Sequence, residues 1–521
     1  MTIRISPFYG ELPKITPKML PDAHAVKAEN CDLESQSLRP AKGLLLDSTV
    51  AATAESIYRH PAGVWFSWDS PGVSAVKSPL NDDVWDRVYW TGESEPRYTT
   101  YALATSGATI PAASYVLGVP APQTTLSLDD AQGEPGAGGV VIDTAYVVTF
   151  GSEFGEEGPP SPASELVTRY DGGTVNLTNI PVPPGGNMSL TRKWLYRVET
   201  AGSFLLVAEL PAAQTTYSDS VNTAELGGPL VSIDWDGPDS RMAGLTHLGN
   251  GMLAGHFENT LCFCEPYHPH AWPVGYQLGF VADIVGIVPV SGGLIVVTEA
   301  EPYLVSGATP AAMFQQKLDF NIGGVSRLSV VDMGEYAIFA SDEGLVQIGG
   351  TRASVITEGM LSREQWQALN PQSIHAYRWH ERYLAFYEDN GVWKRFLLHP
   401  EHGLIHGDGA PAGTYDTTRG EVYLLDGGAI SAWDAGTDLA YSWQSKLFSL
   451  PGMPTLTCGR IDTEGSVGIT IWADGIELVN ETVDNQMFRL PAGRYRDWQV
   501  QLDGSAEVLS VQLVPYPGDL L

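Results

Sequence analysis

The residue types able to do chemistry gather at few places in the chain. Cys264, His268 and His270 fall in the loop Cys264-Glu-Pro-Tyr-His-Pro-His-Ala-Trp-Pro273, and His399, His402 and His406 form a second group. Imidazole and thiolate suit zinc, but a metal needs three or four such ligands converging on one point. The prolines of the first loop hold it extended, so it reads as a rigid, aromatic-rich connector packed against a neighbour, and neither group is assigned a metal. The adjacent carboxylates Asp82-Asp83 and Glu156-Glu157 sit in loop-like sequence with no apolar pocket evident to raise a pKa. Cys262 and Cys264, two apart on a strand, face the same way and read as small buried hydrophobes.

No Gly-x-Ser-x-Gly elbow, phosphate loop, dinucleotide fingerprint or zinc-protease helix motif occurs. The repeated Asp-box of sialidases, Ser-x-Asp-x-Gly-x-Thr-Trp, does not recur, and Ser341-Asp-Glu-Gly344 is only a turn. The sequence therefore assigns no catalytic, cofactor-binding or metal-binding residue, and the chain is not expected to be an enzyme.

What would position such residues is almost entirely strand. Charged residues are 17% and hydrophobic ones 43% of 521, so the chain has the composition of a packed protein. Gly 56 and Pro 36 with no three-residue period exclude collagen and imply many turns. One helix is expected, over Ser362-Arg-Glu-Gln-Trp-Gln-Ala-Leu369, where Ser362 caps, Gln365 stands three later and Pro371 lies beyond. From about 243 to 440 a strand, a turn, a very apolar strand, a turn and a third strand recur. Anchors Leu253, Ile295, Ala337, Leu384 and Tyr423 are spaced by 42, 42, 47 and 39 residues. That period is the one a β-propeller blade needs. Residues Glu55–Arg59, Val64–Ser67, Val73–Val76 and Asp86–Trp90 fit the same template, which makes about six blades.

The period breaks from about 118 to 240. After Gly133-Glu-Pro-Gly-Ala-Gly-Gly139, seven short strands follow in about 100 residues, as in a β-sandwich. Their order and the loop Gly155-Glu-Glu-Gly-Pro-Pro-Ser-Pro162 resemble a fibronectin type III domain. The last segment alternates cleanly. Asp474-Gly475 and Asp503-Gly504 each lie between two strand-like runs, as hairpin turns would. The expected fold is all-β: residues 1–117 as an N-terminal arm and first blade or blades, 118–240 as the inserted sandwich, 241–440 as the remaining blades and 441–521 as a C-terminal β-sandwich.

The chain carries 29 basic and 61 acidic residues, a net charge of −32. Residues 118–240 hold 16 acids and 4 bases, about twice the negative charge per residue of the rest. Tight nucleic-acid binding needs clustered Lys and Arg, so it is not expected, and an anionic membrane surface would repel the chain. A negative wall that repels a polyanion is the sharper reading of the acidity. Four scattered cysteines fit a reducing cytosol, the start has no apolar leader, and no run approaches 18 apolar residues.

Phe8-Tyr-Gly-Glu-Leu-Pro13, Leu20-Pro-Asp-Ala-His-Ala-Val26, Ala28-Glu-Asn30 and Leu38-Arg-Pro40 resemble the start of bacteriophage tail and virion structural proteins. The same resemblance runs through Gly155–Pro162, Arg241-Met-Ala-Gly244, Gly251-Met-Leu-Ala-Gly255, Cys264-Glu-Pro-Tyr267, Pro269-His-Ala-Trp-Pro273 and Pro302-Tyr-Leu-Val-Ser-Gly307, as far as about residue 370. Within that group the architecture is similar to the tail nozzle, or tail tube B, proteins of short-tailed phages. The resemblance implies a virion protein assembled in the host cytoplasm, a hexameric homo-oligomer below a head-to-tail adaptor ring. It also implies contacts to tail fibres or spikes, genomic DNA passing without tight binding, no cofactor and no catalytic residues. The rival is a receptor-recognising virion propeller with carbohydrate-binding loops. Exposed tryptophans at the rim of the C-terminal domain would favour it.

Overall fold

The computed structural model describes residues 2–129, 140–200, 202–399 and 401–520. The Gly-rich tract 133–139 lies outside them. The fold is all-β, 46% strand and 5% helix. Among the described residues no helix is long and apolar enough to cross a membrane.

The repeated unit is a four-stranded antiparallel meander. It occurs over Ser74–Lys77 to Tyr115–Val116, Ala243–His247 to Gln277–Gly279, Ile284–Val290 to Phe314–Lys317, Val331–Asp332 to Arg352–Val355, and His375–Trp379 to Gly403–Asp408. A sixth is built from Ala412–Asp416, Glu421–Asp426 and Ala429–Ala432, with Leu45–Thr49 from far upstream as its outer strand. The second strand of each is nearly all apolar. Leu253–Ala254, Leu294–Val297, Ala337–Ala340, Leu384–Phe386 and Val422–Leu425 are buried throughout. Such strands are covered on both faces, and each buried Leu, Ile, Val or Phe side chain is worth roughly 1.5–3 kcal/mol.

The first meander is displaced from its expected place. Ser56–Arg59 and Trp65–Trp68 pair only with each other, while Ser74–Lys77 and Val88–Thr91 join Arg97–Thr99 and Tyr115–Val116. The separate hairpin packs on the sixth meander instead. Ile57 and Trp65 share a core with Tyr423, Leu425 and Ile430, Trp65 Nε1 donates to Asp47, and Arg59 meets Asp416 at 3.4 Å.

The chain divides into two compact units. One comprises Met1–Gly72, Val285–Leu304 and Gln316–Leu521, the other Val73–Ile284 and Val305–Gln315. In the first, the expected helix forms over Arg363–Gln367, with Ser362 and Gln365 making a capping box. It buries Trp366, whose Nε1 donates to Ser341 O at 2.8 Å. Asp474 and Gly475 take positive φ, 49° and 80°, between the paired strands Val467–Ala473 and Ile476–Val483. Asp503-Gly504 makes no such turn. It ends the strand Asp497–Gly504, and the chain then crosses to Val508–Val514 in a different sheet. That second sheet contains Ile3–Ile5, paired with Val511–Leu513. Both sheets share a core with Trp443, Ile469, Trp498 and Val511.

In the second unit, seven strands over Ser127–Asp129 to Tyr217–Asp219 form a three-stranded and a four-stranded sheet around Tyr146, Val148, Leu177 and Leu195. The first, fourth and seventh strands make one sheet, and the others make the second. That differs from the ABED/CFG grouping of an immunoglobulin constant domain. One carboxylate holds this core's polar end. Asp219 Oδ2 accepts from Tyr146 Oη at 2.8 Å, Arg169 Nη1 at 3.1 Å and Arg197 Nη1 at 2.6 Å, with both guanidiniums and the carboxylate fully buried. Removing one partner of such a group costs about 3–5 kcal/mol because charge is left uncompensated. Asp219→Ala is therefore expected to speed amide exchange in Val141–Ser152 and Leu190–Glu199 at least about a hundredfold, read by hydrogen-exchange mass spectrometry.

Candidate functional site

The cysteine–histidine loop is a folded joint of the second unit. Cys264 Sγ accepts the Leu253 N–H at 3.0 Å, His268 Nδ1 lies 2.9 Å from Pro266 O, and Trp272 Nε1 donates to Pro269 O at 2.9 Å. His270 Nε2 lies 3.1 Å from the Glu157 carbonyl, which fixes the proton on Nε2 and leaves Nδ1 without a hydrogen-bond partner. Burial pushes His270 down to about 3, so it is neutral. All four cysteines are free and buried. Among the described residues no three His, Cys, Asp or Glu side chains are placed to hold a metal.

The paired carboxylates are not loose on loops. Arg87 draws one from each pair together, its Nε donating to Asp83 at 2.8 Å and its Nη1 to Glu156 at 2.7 Å, with all three side chains buried. Glu157 accepts from Thr149 Oγ1 at 2.6 Å and Tyr196 Oη at 2.8 Å. Burial raises both Glu156 and Glu157. The expectation of no apolar surroundings fails because Trp85 and Phe154 stack near the Arg87 guanidinium, 5.1 and 5.6 Å away. Asp83 and Glu156 are paired with Arg87 and Glu157 is held by two hydroxyls, which suits a structural joint, while Asp82 is exposed.

The second histidine group, in the first unit, does not converge either. His399 and His402 stack at 3.9 Å, and Tyr9 lies on the other face of His402 at 4.3 Å. His399 Nδ1 is occupied by the Glu401 and His402 N–H groups. His406 stands apart, 3.8 Å from Glu11.

Glu11 is the most chemically poised group in this unit. It lies on Tyr9–Glu11, between Gly403–Asp408 and His24–Glu29. Its Oε1 accepts the Ala28 N–H at 2.6 Å. A pocket of about 460 Å³ opens beside it, walled by Lys27, Glu29, Tyr387, Lys394, His406 and Asp408. Burial, with a smaller contribution from Glu29, pushes Glu11 up to about 7, against the pull of the Ala28 N–H and Lys27. Burial pushes His406 down to about 4. At neutral pH the pocket thus holds a carboxyl near half-protonation beside a neutral imidazole. Nothing local marks Glu11 in the sequence. Its burial comes from strand pairing with residues some 390 positions away.

No family model matches the chain, and no curated protein matches it. Solved structures give faint likenesses. The extracellular domain of a putative hybrid two-component system from B. thetaiotaomicron is 11% identical, with TM-score 0.27, over 64% of this chain and 42% of that one. The AfRom2 CNH domain is 10% identical, with TM-score 0.24, over 66% and 95%. PorZ, a surface component of the type-IX secretion system of Porphyromonas gingivalis, is 11% identical, with TM-score 0.27, over 87% and 69%. Similarity this low carries no argument about function.

The Glu11 carboxyl sets a pH dependence whose sign is fixed. Its folded value, about 7, exceeds the ordinary 4.5, so its stabilising contribution is present below pH 4.5 and lost as pH rises to 7. Glu11→Gln keeps the acceptor for Ala28 but removes the ionisation. The variant is expected to gain stability over the parent by on the order of 2–3 kcal/mol at pH 8, and to match it at pH 4.5. Paired denaturant titrations at the two pH values check this.

Proposed function

We propose that this chain is a structural component of a bacteriophage tail, similar to the nozzle proteins of short-tailed phages. In this reading the six meanders are propeller blades, with Leu45–Thr49 closing the ring at the last of them. The seven-stranded insert is a fibronectin type III-like sandwich with its own strand pairing, and a second sandwich ends the chain. Copies form a hexameric ring that continues the DNA channel below the head-to-tail adaptor and anchors fibres or spikes.

One observation carries the reading. Several of the residues that give the chain its resemblance to tail proteins are held in joints or in the core. Gly10 and Glu11 lie in a strand joint, Asn30 Oδ1 accepts from Arg395 at 3.0 Å, and Glu156 is bonded to Arg87. Gly251 takes φ 74° against the Tyr267 ring, and Met242 and Trp272 are buried. Motifs that preserve joints suit a scaffold better than a catalyst. The rival reading loses its discriminating feature, since Trp443 and Trp498 of the C-terminal module are fully buried and Trp472 is half-buried.

The net charge of −32 suits a wall that releases DNA rather than gripping it, and it makes neighbouring subunits repel. Screening lengths fall to about 10 Å at 0.1 M salt, so the ring is expected to form more readily as salt rises or when an adaptor ring organises it. Light scattering across salt, with and without the adaptor, measures this. A gel shift with duplex DNA is expected to show no submicromolar affinity at physiological salt. A virion map placing the chain at a fibre tip, off the tail axis, would sink the proposal.

A further inference from the structure

A second pocket of the first unit, about 840 Å³, lies beside the 375–408 meander and shares only His399 with the groups described above. Its size falls within the roughly 300–1,000 Å³ of small-molecule sites, but its walls are polar where such sites are usually apolar. Two arginines line it. Arg382 is fixed in place, its guanidinium 4.2 Å over Trp379 and its Nη2 donating to Glu34 at 3.1 Å, with the side chain 9% exposed. Arg378 donates Nε to the His380 carbonyl at 3.0 Å and makes no ion pair among the described residues. The two-residue turn His380-Glu381 between the paired residues Trp379 and Arg382 brings Glu381 to the same wall, and Glu401 stands beside His399. Tyr336 and Tyr415 supply aromatic rings.

The charges decide what fits. Arg378 and Arg382 oppose Glu34, Glu381 and Glu401, which cancels to within one unit. A phosphate or carboxylate would meet three carboxylates, and a cation would meet two guanidiniums. A hydroxyl both donates and accepts, so a polyhydroxylated neutral molecule satisfies donors and acceptors together. Hydrogen bonds to charged partners are the strong kind, and the tyrosine rings can cover the C–H faces of a pyranose.

We propose that this pocket binds a neutral oligosaccharide. The site goes beyond the tail-ring reading and stands or falls separately from it, because binding is read on the purified chain whether or not it assembles. Saturation-transfer NMR and calorimetry with the full chain would use a panel of neutral trisaccharides, including maltotriose, cellotriose and laminaritriose. Trigalacturonic acid and chitosan trimer serve as charged counterparts. At least one neutral sugar is expected to bind with a dissociation constant of about a millimolar or tighter. Arg378→Ala and Glu381→Gln, at half-buried and exposed positions, should each weaken it about tenfold or more, with an unchanged melting temperature showing that the fold is kept. No transfer from any neutral sugar, binding unaltered in both variants, or tighter binding of a charged counterpart would each overturn the proposal.

Discussion

The first unit depends on how its N-terminal segment satisfies two strand edges at once. Tyr9–Glu11 pairs with Gly403–Asp408, and His24–Glu29 pairs with Tyr441–Ser445, so one continuous sheet runs from the 375–408 meander into the C-terminal module. Without these strands each of those edges would present unpaired N–H and C=O groups. The approach is so close that only glycine fits on either side. A Cβ on Gly10 would fall 2.5 Å from Leu404 O, and one on Gly403, at φ 88°, would fall 2.5 Å from Glu11 O. The price is a carboxyl, Glu11, carried into the seam, where the Ala28 N–H satisfies one oxygen and burial discourages its charge.

The same economy governs the other buried charges. Arg87 holds Asp83 and Glu156 together, Asp219 holds Arg169 and Arg197, and Lys193 gives its ammonium to the carbonyls of Pro181 and Gln214. No carboxylate among the described residues pairs with Lys193, and burial lowers it to about 8. Ion pairs of this kind contribute little net stability against apolar replacements, yet they are costly to break singly. Each ties segments far apart in the chain, such as residues 83 and 156.

What could be read in the sequence was local. The capping box at Ser362, the Asp474-Gly475 turn and the apolar second strands follow from residue types a few positions apart. Most strands of the insert are of the same kind, although one of the seven, Ser127–Asp129, precedes the Gly-rich tract after which they are expected. Asp503-Gly504 carries the same dipeptide as the true turn and still fails, because its flanking strands find partners in two different sheets. The hairpin at Ser56–Trp68 likewise has strand character, but its pairing was decided by a core it shares with Tyr423. The candidate site was the least legible part. Glu11 became unusual only when residues near 25 and 404 closed around it, and Arg87 gave meaning to two acidic pairs that are unremarkable alone.

A division of labour among the polar residues follows. Few of the 61 acids are buried, and those that are buried sit in joints, so most of the negative charge lies toward the surface. The pocket beside Arg378 departs from both patterns. Its charges are of both signs and only partly consumed internally, since Arg382 meets Glu34 while Arg378 makes no ion pair among the described residues of a chain with twice as many acids as bases. The backbone fixes Nε on the His380 carbonyl, in a two-residue turn with His380 at φ 52°. The other guanidinium donors of Arg378 make no ion pair among the described residues, and that, more than the pocket's volume, sets the pocket apart from the ordinary acidic surface.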